Sequence, residues 1–185
     1  MAIAQKLFSE VGYEKTMITD ITAQAAIAKA TFFHYFPTKE AVLEAIFMQC
    51  AQQIEQAIDA DTSSTTAVEK LEFFLKQFFL FDQLDPMVTK LEANNQQMLL
   101  IGFWQMMQKH LDKTLTSILQ QGRAEKTMHI EHLEETILYF WLLISVVLVS
   151  AHKKEAAEIF AHKRDIGFTL LEKLLGLPPY SFKLA

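Results

Sequence analysis

One stretch limits what this chain can become: Ile137 to Ala151, ILYFWLLISVVLVSA, is 15 residues long and carries no charge. A bilayer span needs about 20 apolar residues, and this run is closed by HLEET before it and HKKE after it. Too short to span and apolar nearly all round, it predicts a helix covered on most sides, within its own subunit or by another. The other residues support helices too. With 5 Gly and 4 Pro in 185 residues the chain is poor in turn formers, while 51% apolar content, including 15 Phe and 8 Met, can fill a sizeable core. The single cysteine, Cys50, excludes an internal disulfide and fits a reducing, cytoplasmic compartment.

Helical rhythm runs through the chain. Ile3, Ala4, Leu7, Phe8 and Val11 recur at helical spacing and stop at Gly12, a residue suited to a left-handed end. Ile18, Ile21, Thr22 and Ala25 predict a short second helix, with Thr16 or Thr19 as its cap. A third covers about Lys29 to Tyr35. Thr38 can cap a fourth, whose stripe is Val42, Leu43, Ile46, Phe47, Cys50, Ile54 and Ile58. The run DADTSSTT, Asp59 to Thr66, reads as a linker, and Thr66 with Glu69 as a capping box. Leu71, Phe74, Leu75, Phe78 and Phe79 share a helical face. Leu100, Trp104, Met107, Leu111, Leu115 and Ile118 share another, predicted to stop at Gly122. Two last helices are predicted over about Glu131 to His152 and Glu155 to Leu175, closed by Gly176 and Pro178-Pro179. No strand-like alternation or internal repeat appears, so the expected fold class is all-α.

The stretch AKATFFHYFPTKE, Ala28 to Glu40, crowds four rings and a histidine into five positions between two lysines. A short helix can turn only part of that surface inward. Phe32 and Phe36 are four apart and face the core in this reading; Phe33, His34 and Tyr35 then point outward beside Lys29, Thr31 and Lys39. Two short helices joined by a tight turn near Ala26-Ile27, then a long helix, is the arrangement of a helix-turn-helix DNA reader. The net charge of −5 requires any nucleic-acid surface to be local.

The segment Leu7 to Phe47 resembles the N-terminal domain of the TetR/AcrR family of bacterial transcriptional regulators. The resemblance is carried by Leu7-Phe8, Gly12-Tyr13, Thr16, Asp20-Ile21, Ala25, Lys29, Thr31, the run His34-Tyr35-Phe36-Pro37, and Lys39-Glu40. It implies a helix-turn-helix DNA-binding domain at 1–47 and a helical ligand-binding and dimerisation domain at 48–185. Thr16, Lys29, Ala30, Thr31, Phe33, His34, Tyr35 and Lys39 are then the DNA-binding candidates. Some positions depart from the family's pattern. Phe33 stands where tyrosine is usual, Ala28 where serine caps the helix, Ala26 and Ala30 where glycines are usual, and Met17 where serine or threonine is common. Residues 1–47 also hold four lysines, no arginine and five acids, which predicts modest DNA affinity.

In the second domain Phe74, Phe78, Phe81, Phe103, Trp104, Met107, His110, Phe140, Trp141 and Ile144 are candidates to line a cavity for a small hydrophobic effector, though ordinary core packing explains any given ring better. Ile137, Leu148, Ile159, Ile166, Leu170 and Leu174 are candidates for a homodimer interface of four helices. Double-stranded operator DNA, effector and a second copy are the expected partners, with no membrane. His129 and His132 beside Glu131, Glu134 and Glu135 have usable spacing for a metal, but without a cysteine cluster none is expected. No glycine-rich phosphate loop, nucleophile elbow or HExxH run occurs, so neither an enzyme nor a cofactor is expected. The resulting expectation is a ligand-responsive repressor. The alternative is a TetR-like small-molecule-binding protein whose DNA binding is weak or lost.

Overall fold

The computed structural model describes residues 1–84, 86–152 and 157–182, with side chains at 1–77, 86–147 and 158–182. Among these the elements are α1 (Ala2–Glu10), α2 (Ile18–Gln24), α3 (Lys29–Tyr35), α4 (Lys39–Ala60), α5 (Ala67–Leu84), α6 (Pro86–Ala93), α7 (Gln97–Ala124), α8 (Leu133–His152) and α9 (Ala157–Leu175). The fold is all-α. Two compact units share the chain: Met1–Gln52 with Asp82–Met107, and Gln53–Phe81 with Gln108–Ala185. The first unit leaves α4 at Gln52, and residues 82–107 group with it.

In the first unit α1 buries Ala4, Leu7 and Phe8 and packs on α6, which buries Met87, Val88 and Leu91. Each fully covered Val, Leu, Met or Phe here stabilises by about 1.5–3 kcal/mol. Gly12 permits the approach. Its φ is +103°, and a Cβ there would stand 3.0 Å from Asn94 Nδ2. α6 is not among the helices expected from sequence: it is only eight residues long, too short for its periodicity to stand out. Further along, the rings of Phe47 and Phe103 lie 4.5 Å apart and close the core between α4 and α7.

In the second unit the capping box forms as expected: Thr66 Oγ1 accepts from the Glu69 amide at 3.3 Å, and Glu69 Oε2 accepts from the Thr66 amide at 2.9 Å. These amide bonds, with those from Thr65, hold the Glu69 carboxyl down at about 2. α7 does not stop at Gly122. The helix continues to Ala124, and Met128 fills the space a side chain on Gly122 would need. The chain leaves the helix at Lys126, whose φ is +59°. α8 packs along α9. The buried Glu172 carboxylate accepts from the Ser181 amide at 2.7 Å and so ties down the segment after Gly176. No helix among the described residues is long and apolar enough to cross a membrane.

Candidate nucleic-acid interface

The presentation of α3 begins with α2. Thr16 does not cap α2, because its hydroxyl is buried and donates to the Gly12 carbonyl at 2.8 Å. Met17 takes the cap position instead, and Asp20 Oδ2 accepts from the Met17 amide at 2.9 Å. The turn after α2 passes through Ala26 at φ +53°, a left-handed conformation disfavoured by about 1–2 kcal/mol for an L-residue. α3 then starts at Ala28 with no side-chain cap. Its first turn therefore lacks a hydrogen bond that serine or threonine would supply.

What fixes α3 is one ring. Phe32 is 3% exposed and sits edge-on to Phe33 at 5.5 Å, with Phe36 half-buried at 5.9 Å. The other six residues of α3 are exposed, Phe33 at 43% and Tyr35 at 70%. Lys29 and Phe33 stand four apart, as do Ala30 and His34, and the two pairs lie on adjoining rows of one side of the helix. The Lys29 ammonium lies 5.8 Å from the centre of the Phe33 ring, and His34 and Tyr35 meet edge to face at 5.1 Å. The exposed side of α3 thus offers a cation, methyl and ring surface and an imidazole, with the Tyr35 phenol beside it.

Two of the eight sequence candidates stand elsewhere. Thr16 is buried, as described. Lys39 is half-buried: its ammonium donates to the carbonyls of Tyr13 (2.8 Å) and Thr16 (3.2 Å) and lies 4.2 Å from the Tyr13 ring centre. It clamps the loop between α1 and α2 to the start of α4. Tyr13 Oη in turn donates to Glu40 Oε1 at 2.8 Å. Burial, then this bond to a carboxylate, pushes the phenol of Tyr13 up. Glu40's own amide, then the Tyr13 hydroxyl, hold its carboxyl below the usual range.

The ligand candidates divide. Phe103, Trp104 and Met107 fall in the first unit, whereas Phe74, His110, Phe140, Trp141 and Ile144 fall in the second; the side chains of Phe78 and Phe81 lie outside the described residues. In the second unit Phe74, Phe140 and Trp141 pack within 6.2 Å of one another, and the Trp141 indole donates to Asp112 Oδ1 at 3.0 Å. His110 Nε2 is 2.8 Å from Glu55 Oε2. Nearby, a groove of about 460 Å³ opens between α4, α5 and α7, lined by Glu55, Asp59, Asp61, Lys70 and Lys113 with Ile58, Phe73 and Ile118 among others. Sequence reading missed it, because its charged residues look like ordinary solvated helix faces.

Of the dimer candidates Ile159, Ile166 and Leu170 are exposed, Ile137 and Leu174 are half-buried, and the side chain of Leu148 lies outside the described residues. Among the described residues, the exposed large apolar side chains of α8 are Leu138, Tyr139, Leu142 and Val146, with Leu138 at 60% and Leu142 at 55%. A run apolar on all sides gives no polar contrast from which to choose that face.

The family model described as bacterial regulatory proteins, tetR family, matches residues 1–46. The fatty acid metabolism regulator protein of Bacillus subtilis (strain 168) is 26% identical over 139 residues, which span 69% of this chain and 70% of that one. Among solved structures, RolR in complex with resorcinol superposes with a TM-score of 0.75 at 19% identity, covering 96% of this chain and 86% of that one. The fatty acid degradation regulator FadR from Bacillus halodurans gives 0.67 at 18% identity, covering 92% and 91%. At these identities the two structures speak for the fold.

Proposed function

Because this chain belongs to the tetR family of bacterial transcriptional regulators, we propose that it is a homodimeric repressor, working in the cytoplasm and released from its operator by a small hydrophobic effector. The observation that carries the reading is α3. Six of its seven residues face solvent while Phe32 alone anchors it, so the helix is built to be displayed. Lys29, Ala30, Thr31, Phe33, His34 and Tyr35 form the contacting set; Thr16 and Lys39 position it from behind.

Two heads are needed, since half-sites are read about one helical turn apart, near 34–36 Å or a multiple. The exposed apolar residues of α8 and α9 supply the self-association, with Leu138, Leu142, Ile159, Ile166 and Leu170 as its centre. The effector enters the second unit beside Phe74, Phe140, Trp141, Ile144 and His110. An effector that prefers the conformation unable to bind DNA must lower operator affinity by linkage.

Gel-shift titration of the DNA flanking the protein's own gene, at stepped salt, tests the reading. Binding should weaken linearly on a log–log plot as salt rises, and Lys29→Ala should alter the preference among sites. Salt-dependent binding to no duplex would leave the alternative, a helical small-molecule-binding protein with weak or lost DNA binding. One observation favours that alternative: of the four lysines in residues 1–47, set against five acids, Lys39 is already engaged internally.

A further inference from the structure

Sequence is read in the major groove by matching side chains to base edges: arginine or lysine to guanine, asparagine or glutamine to adenine, and apolar groups to the C5-methyl of thymine. α3, KATFFHY, contains no arginine, asparagine or glutamine. Elsewhere in the head arginine is absent too, as the chain's two arginines are Arg123 and Arg164. Lys39 is held by two carbonyls, which leaves Lys29 as the lysine on the displayed face. Apart from the His34 imidazole and the Tyr35 hydroxyl at its C-terminal end, the remaining exposed surface of α3 is apolar: the Ala30 methyl, the Thr31 methyl and the Phe33 ring, which has no hydroxyl to spend on a phosphate. Lys29 sits against that same ring, so its charge and the apolar surface enter the groove together.

We propose that the operator half-site is thymine-rich where α3 meets it, selected by thymine methyl groups through Ala30, Thr31 and Phe33, with at most one guanine, opposite Lys29. The inference rests on the repressor reading above and names the class of DNA that reading requires.

The test uses the full chain in two stages. Duplexes are first selected from a random pool, and the enriched half-site is then remade with uracil for thymine, which removes only the methyl and keeps the pairing. Enrichment of consecutive A·T pairs is expected. Affinity should fall about fourfold for each contacted methyl removed, as for one buried methyl group, with the salt slope unchanged. Phe33→Ala should bind uracil and thymine duplexes nearly alike at the positions it covers. The comparison of the two DNAs on the unaltered chain stands even if that variant folds poorly. Enrichment of guanine runs, or equal affinity for uracil and thymine duplexes, would overturn the inference and leave the repressor reading intact. Failure to bind any duplex would end both.

Discussion

α3 and α8 both turn apolar side chains to solvent, in opposite chemical company. On α3 the rings stand beside Lys29 and His34. On α8 Leu138, Tyr139, Leu142 and Val146 lie within a run that holds no charge from 137 to 151. Apolar surface interleaved with cations suits a hydrated polyanion, whose interfaces are polar and positive. Uncharged apolar surface at helical spacing suits another such helix, since covering it gains about 25 cal/mol per Å² removed from water. An exposed ring therefore says little about its partner; its neighbours say more.

The largest expected effect lies on the α8 side. Leu142→Glu should leave a folded single chain by sedimentation, with operator affinity lower by roughly 10²–10⁴ because the two heads no longer act as one ligand. A dimer that survives this change would break the contrast between the helices. Next comes the support of α3. Lys39→Met keeps the stem but removes the ammonium from two carbonyls, and should cost the head about 1.5–3 kcal/mol in denaturant unfolding. A Lys39→Met protein of unaltered stability whose salt slope falls by about one would return Lys39 to the DNA-facing set.

Ala26→Gly should stabilise the head by about 0.5–1 kcal/mol. Relief of the left-handed strain at φ +53° outweighs the added freedom of the unfolded chain. A loss of stability there would mean that the turn presenting α3 is shaped by something other than its backbone angle. The smallest effect concerns the anchoring of α5. Glu69 is held down to about 2 in the folded protein, below the ordinary carboxylate value near 4.3. Its contribution is therefore present above that ordinary value and is lost as pH falls through about 2. A carboxyl chemical-shift titration should show a Glu69 midpoint near 2; a midpoint near 4 would mean the cap is not made in solution.

Much of the head was legible because its signals are local. The span of α3 agrees with its periodicity and the Ala28 start is bare as its side chain implies, and in the second unit the Thr66–Glu69 box likewise forms within three residues. What the sequence left hidden came from distance. Lys39 finds its carbonyls 26 and 23 residues back along the chain, so in sequence it looks like a free cation. Thr16 looks like a cap, yet its hydroxyl is taken by Gly12. The ten ligand candidates share helical faces, but periodicity names a face and not what it meets, and the fold distributes them between two units.

The sequence by itself determined every helix but α6, and the composition of each face, because hydrogen bonds four residues apart and the 3.6-residue repeat are properties of a single segment. Tertiary structure decided which of those faces stay exposed, which lysine is left for a partner and which rings pack as core. Those outcomes depend on which segments come together, and a polar or apolar group acquires its role only from what is packed beside it.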